Sequence, residues 1–323
     1  FLILVFAIQN NLQMPEEDKT IETKTTFQEL PDAPPRRKIR FTVTGKIGIF
    51  FVVFWVLMVF IGPYISPYNE ADILDESLFI VPGGDEYPDT DYQPPSKVAY
   101  LGTDYLGRDT LSRILYGART TIGISFAATL LAYLLGVTLG IAAAVGSEWL
   151  DMSLSRVNDS FLSIPTIMMG LVVIAAVGST IPILIVMTGF IYATSVFRVA
   201  RSLGQDVMVS DFVEAAKVRG EGLWWIITRE ILPNVVMPLA TDFGLRFVWI
   251  ILFISALSFL GLGVQPPMSD WGSMVKENLG GLPYGSIAPL MPSLAIATLT
   301  ISINLIVDDI SAHTGGKLSN RMI

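Results

Sequence analysis

Two ionisable residues, Asp242 and Arg246, stand inside a stretch that is otherwise almost wholly apolar from 235 to 261. A charge in hydrocarbon is costly, and proteins keep one there where it pairs, faces water or lines a path. At i, i+4 spacing the two can pair with each other. They read either as a structural pair near one end of the segment or as part of a polar path. Metal and nucleophilic chemistry have little to work with. The chain has no cysteine and one histidine, His313. That excludes a Cys-ligated metal, an Fe–S cluster, a disulfide and a Cys nucleophile. A Ser-His-Asp triad would have to use His313 alone, in a glycine-rich tail. No G-x-x-x-x-G-K-[ST] phosphate loop is present, since Gly315-Gly316-Lys317-Leu318 lacks the first glycine at the right offset and the hydroxyl. No catalytic set, metal site or bound cofactor is therefore expected on this chain.

The second informative group lies in 207–233, VMVSDFVEAAKVRGEGLWWIITREILP. Ser210 or Asp211 can cap a helix, and Asp211-x-x-Glu214 approximates a capping box. Phe212, Val213, Ala215, Ala216 and Val218 supply apolar contacts, and Ala215 and Ala216 are small enough for close approach. Lys217 and Arg219 suit a helix C-terminus, and Gly220 suits the position after it, where φ is positive. A helix of about eight residues ending sharply at Gly220 is predicted, followed by a second helical run up to Pro233. A short amphipathic helix needs a cover for its apolar face. Lipid at the membrane surface and a groove on a partner protein fit equally well on these grounds. Trp224 and Trp225 suit an interfacial aromatic anchor.

These residues must be positioned by membrane helices. Of 323 residues 52% are hydrophobic and only 15% are charged, against about 25% charged in soluble domains. Six stretches approach the roughly 20 apolar residues that a crossing needs. They are 46–64, 120–146, 160–178, 181–197, 235–261 and 287–307. Arg36, Arg37, Lys38, Arg40 and Lys46 precede the first, which places that side in the cytoplasm by the positive-inside rule. Alternation then puts the 198–229 loop inside, with Arg198, Arg201, Lys217, Arg219 and Arg229, along with Lys317 and Arg321 of the tail. It puts 65–115 outside, with Glu70, Asp72, Asp75, Glu76, Asp85, Glu86, Asp89 and Asp91. That acidic segment reads as a solvated loop or as an attractor of cations or of a basic protein patch. Arg156 and Asp159 read as interfacial residues at the start of the third span. In the second span Ala128, Ala132, Gly136, Gly140 and Ala144 recur every four residues. Small residues on one face admit a close neighbouring helix, either within the chain or at a subunit interface. A net charge of −8 points away from nucleic acid. Phe1–Ile8 is apolar but too short to span and has no basic residues before it, a poor match to a secretion signal. Met14 is a candidate start, and 10–35 lacks an apolar period.

Glu214-Ala215-Ala216-x-x-x-Gly220, followed by Ile231-Leu232-Pro233, resembles the EAA loop of ABC importer permeases. Leu101-Gly102-Thr103-Asp104-Tyr105-Leu106-Gly107-Arg108-Asp109, with Leu111-Ser112-Arg113 and Tyr116-Gly117-Ala118-Arg119, resembles the segment before the second span of the dipeptide/oligopeptide/nickel permeases. Phe259-Leu260-Gly261-Leu262-Gly263-Val264-Gln265-Pro266-Pro267 and Asp270-Trp271-Gly272 resemble their segment after the fifth. The likeness covers about 100–307 and fits the "C"-type subunit. It departs at Glu230, where related permeases often have His, in the tail at Val307-Asp308-Asp309-Ile310-Ser311, and in a longer external loop. The resemblance implies an all-α polytopic membrane protein of the type I ABC importer permease fold, with about six transmembrane helices and a cytoplasmic coupling helix. The expected parts are a cytoplasmic tail 1–45, a first span 46–64, a periplasmic acidic segment 65–115, a five-span core 116–307 and a cytoplasmic tail 308–323. In the coupling helix, Asp211, Phe212, Glu214, Ala215, Ala216, Arg219 and Gly220 would engage an ATPase. It further implies a bacterial inner-membrane location, a second homologous permease subunit, two ABC ATPase subunits that carry ATP and Mg, and a periplasmic substrate-binding protein. A secondary transporter, which needs no docking loop, or a structural subunit of a membrane complex, without a pathway of its own, is the alternative. The cargo is left open among dipeptides, longer peptides, nickel chelates, opines and other small solutes.

Overall fold

The computed structural model describes residues 41–79 and 90–319, with 313–319 as backbone only. The N-terminal segment 1–40, the acidic residues Asp85, Glu86 and Asp89, the side chains of His313 and Lys317, and Arg321 lie outside the described residues. Among the described residues nine principal helices follow in order: α1 (Val43–Ile65), α2 (Thr110–Val145), α3 (Glu148–Leu162), α4 (Thr166–Val177), α5 (Ile181–Met208), α6 (Asp211–Val218), α7 (Leu232–Phe259), α8 (Trp271–Asn278) and α9 (Leu290–Ser319). Among the same residues five runs are long and apolar enough to cross a membrane: α1, α2, α5, the composite Leu223–Phe259 and Leu290–Ala312.

The expectation of a single helix over 160–178 is corrected. The structure has there the pair α3 and α4, bent by 82°, a sixth crossing if the two count as one broken span and a re-entrant loop otherwise. Pro165 has no N–H to donate and disfavours helical backbone at Ile164, so the chain breaks at Ser163–Pro165. At about 1.5 Å per residue, the 12 residues of α4 cover only about 18 Å, too short to cross by themselves. Arg156 and Asp159 are exposed on α3. Two other boundaries move. The second span begins ten residues before the predicted one, because Asp109 accepts from the Ser112 N–H at 2.8 Å and caps α2 at Thr110. The fourth runs to Met208 rather than 197. Arg113 and Arg201 in these extra turns pair with Asp104 and Asp151, and such charges hide the turns from a hydropathy reading.

The core is made by α2 against α5. A Cβ on Gly136 would lie 2.6 Å from Val196 Cβ, and one on Gly140 2.7 Å from the Phe197 carbonyl oxygen. Ala128 and Ala132 are fully buried, and Ala144 meets Gly204. The stripe of small side chains at four-residue spacing thus packs inside the chain, against α5. Gly136→Val is expected to destabilise the protein by about 1–3 kcal/mol through overpacking. Gly123→Ala, one of the open positions on α2, should be neutral or gain up to ~1 kcal/mol of helix propensity. Thermal unfolding in detergent compares the two, and equal midpoints would contradict the packing.

Helix α1 is tied to α9. Gly48 lies against Ser302, Trp55 Nε1 donates to Thr298 Oγ1 at 3.1 Å, and the Thr42 N–H donates to the Asp309 carboxylate at 3.0 Å. The last contact places the start of α1 and the late turns of α9 at the same end of the bundle. That end also carries the close of α2, where Ala144 meets Gly204 of α5, and α6. The opposite end carries the segment between α1 and α2, α8, and the turn joining α4 to α5, where Ser179 Oγ donates to the Gly263 carbonyl. Phe50, Val53, Phe54, Leu57 and Phe60 of α1 remain exposed, as a lipid-facing helix requires.

Candidate functional site

Three groups of residues stand out, one at each end of the bundle and one between. At the first end, α6 is eight residues long and starts at Ser210, not within a capping box. Ser210 forms no side-chain cap bond, and its hydroxyl donates back to the Asp206 carbonyl. The C-terminus forms as the sequence predicts. The Glu221 N–H reaches the Ala216 carbonyl at 3.2 Å, the Gly220 N–H reaches that of Lys217 at 3.0 Å, and Gly220 has φ +82°. This pair of bonds is the Schellman closure, which favours glycine at the positive-φ position.

The apolar residues of α6 divide into two sets. Val213 and Ala216 are fully buried, Val213 in a cluster with Ile226, Ile231 and Val235. Phe212, Ala215 and Val218 are exposed with Glu214 and Lys217, which corrects the expectation of one apolar face. Their own chain therefore fixes the angle of the helix and leaves a second small, mixed surface uncovered. Beneath it Ile226–Ile231 winds as a π segment just before Pro233, whose missing N–H interrupts the ordinary ladder. The Arg219 guanidinium lies 5.8 Å over the Trp225 ring, a cation–π contact. Trp224 is largely exposed, whereas Trp225 packs on the core.

Between the ends, Asp242 and Arg246 do pair, Nε to carboxylate at 3.3 Å, and the Tyr133 hydroxyl donates to Asp242 at 2.5 Å. Sequence reasoning missed Tyr133, which comes from α2. It also assigned Arg198 and Arg201 to a loop, whereas both lie on α5. Arg201 is paired with Asp151 of α3. Arg198 is exposed and lines an open cleft of about 460 Å³ with Ser195, Val199, Ser202, Leu203 and Arg246. The i, i+3, i+7 spacing of Ser195, Arg198 and Ser202 was the legible signal.

The opposite end holds a buried ionic knot that joins two sequence motifs about 160 residues apart. Arg113 Nη1 meets Asp104 at 2.6 Å and Glu277 at 2.9 Å. Arg108 meets the same carboxylates at 2.7 and 3.1 Å. Arg113 Nε donates to Ser269 Oγ at 3.2 Å, and Thr121 Oγ1 donates to Asp270 at 2.8 Å. Burial pushes the Asp270 carboxyl above the usual carboxylate range, against the hydrogen bonds from Thr121 and from the Ser273 backbone that lower it. Trp271 is fully buried, donates to the Ile114 carbonyl at 3.0 Å and meets Trp55 edge-on at 4.8 Å. Glu70, from the acidic segment, accepts from the Ser269 N–H at 2.6 Å. Arg108 and Arg113 balance Asp104 and Glu277 within the knot, which ties the 104–113 segment to the residues around the α7–α8 turn.

Comparison with known proteins agrees with this arrangement. Residues 136–317 match the family described as binding-protein-dependent transport system inner membrane component. The glutathione transport system permease protein GsiD of Pectobacterium atrosepticum is 30% identical over 88% of this chain and 90% of its own length. The dipeptide transport system permease protein DppC of Alkalihalophilus pseudofirmus is 29% identical over 94% and 100%. A putative peptide transport system permease protein of Brucella suis is 36% identical over 67% and 73%.

Proposed function

Since this chain belongs to the binding-protein-dependent transport system inner membrane components, we propose that it is one membrane-spanning half of an ATP-driven importer of peptides or similar small solutes. It is a multi-pass inner-membrane permease, a transporter component without chemistry of its own. The observation that carries the finer reading is α6, a rigidly seated helix whose second face, Phe212, Glu214, Ala215 and Val218, is left open. A helix held by its own chain on one side and uncovered on the other suits docking into a groove on an ATPase subunit. The other members of the assembly are a second permease of the same family, two ATPases that hold ATP and Mg, and a soluble binding protein at the opposite end.

The described charges support an orientation with α6 in the cytoplasm. Arg198, Arg201, Lys217, Arg219 and Arg229 cluster towards its end, and Glu70, Asp72, Asp75, Glu76 and Asp91 lie at the other. Both ends of the chain are then cytoplasmic. Nucleotide binding would draw the ATPases together, and α6 would carry the movement through the π segment into α7. That segment is the one direct continuation from α6 to the residues around Asp242. Affinity purification of this chain from its native membranes is expected to bring down two ATPase subunits, and the assembly should take up solute in vesicles only with ATP and the binding protein present. Uptake driven by an ion gradient without ATP would favour a secondary transporter.

A further inference from the structure

We propose that Tyr192, Ser195, Arg198 and Ser202 of α5, with Arg246 of α7, form the water-lined wall of the solute path. On this proposal, which rests on the importer reading above, the wall selects a solute bearing a carboxylate. The four α5 residues fall at i, i+3, i+6 and i+10, on one face of the helix. Ser195 belongs both to the open cleft and to a smaller hollow of about 50 Å³ that Tyr192 and Thr166 also line. The wall therefore runs without a break from the α3–α4 bend towards the α6 end.

The charges along this wall do not cancel. Asp242 is held by the Tyr133 hydroxyl and by Arg246 Nε. The Nη1 and Nη2 groups of Arg246 form no hydrogen bond among the described residues, and Arg198 forms no ion pair there. Its neighbour Arg201 is already neutralised by Asp151. Arg198 thus stands in the cleft with no described carboxylate bonded to it, and the one carboxylate at Arg246, Asp242, is also taken by the Tyr133 hydroxyl. Arg246 also stands near the middle of α7, about 20 Å from either end at ~1.5 Å per residue, so a lipid-facing position would strand its charge in hydrocarbon. A guanidinium fork matches the two oxygens of a carboxylate, and the Ser195 and Ser202 hydroxyls can donate to the same oxygens. Partial exposure of both arginines keeps such binding weak enough for release, as conduction requires.

The chain's lack of cysteine makes a direct test available. Ser195→Cys is introduced into this chain, and the assembled complex in membrane vesicles is treated with an anionic (sulfonatoethyl) or a cationic (trimethylammonioethyl) methanethiosulfonate. Labelling is read on this chain alone. The anionic reagent is expected to react about tenfold faster, relative to each reagent's rate with a free thiol, as suits one unbalanced charge a few ångströms away. Adding Arg198→Gln should bring the ratio close to one. Equal rates in the Ser195→Cys chain would overturn the selectivity. No reaction with either reagent would overturn the water-lined wall, since the stripe would then be sealed by lipid or by the partner subunit. Either failure leaves the importer reading standing if ATP-dependent uptake persists. Loss of the ATPases on purification would sink that reading without touching the labelling ratio.

Discussion

Glu214→Lys is expected to reduce ATP-dependent uptake at least tenfold, or about 1.4 kcal/mol or more of lost coupling, while the protein reaches the membrane at its normal level. Glu214 is exposed on α6, and no described side chain bonds it, so the fold has no reason to suffer. Reversing a charge on a docking face places it against whatever counter-charge the partner presents, and like-charge contacts across an interface cost several kcal/mol. Gly220→Trp should act in the same direction for a different reason. Open space surrounds Gly220, but its φ of +82° strains any other residue, and the angle at which α6 leaves the membrane would shift. Uptake, membrane abundance and co-purified ATPase are measured together. Normal uptake by both variants would remove α6 from the coupling route. Lost uptake with a normal amount of bound ATPase would place the defect in transmission rather than in docking.

Removing Arg113 should have the largest effect on stability. Arg113→Ala leaves Asp104 fully buried with only Arg108 beside it, and Glu277 with one partner in place of two. Breaking a buried ionic group by deleting one member costs about 3–5 kcal/mol, because the remaining charge is left uncompensated. The expected result is little protein in the membrane and a lowered unfolding midpoint in detergent for what remains. Arg113→Lys should recover only part of this. An ammonium can meet Asp104, but it cannot also supply the separate Nε donor that reaches Ser269 at 3.2 Å. An unfolding midpoint for Arg113→Ala within error of the parent would show that the knot is solvated and contributes little.

The consequences of these two substitutions differ because the residues belong to different levels of the structure. Glu214 sits on a surface that local sequence can describe. Its helix needs only a start near Ser210, a glycine at 220 and eight residues of helical spacing. Arg113 lies in the first turns of a membrane helix, where hydropathy gives no warning that a charge belongs. Asp104 is its local partner, and only the return of the chain at 269–277 supplies the others, Ser269 and Glu277.

The same division runs through the whole protein. Composition and the apolar runs determined a polytopic helical protein and its five long crossings, because a crossing length follows from the thickness of the bilayer. Local chemistry determined where α6 ends, because positive φ and the missing Cβ of Gly220 are properties of a single residue. The absent phosphate loop and cysteines removed whole classes of chemistry for the same reason. Tertiary structure decided what spacing left open. It turned the small-residue stripe of α2 inward onto α5, split the apolar residues of α6 between a buried and an uncovered face, and bent the third passage into α3 and α4. It added Tyr133 to Asp242 and left Arg198 facing the cleft beside Arg246. Each of these depends on which helix arrives at a given face, and neither segment alone names the partner that lies tens or hundreds of positions away.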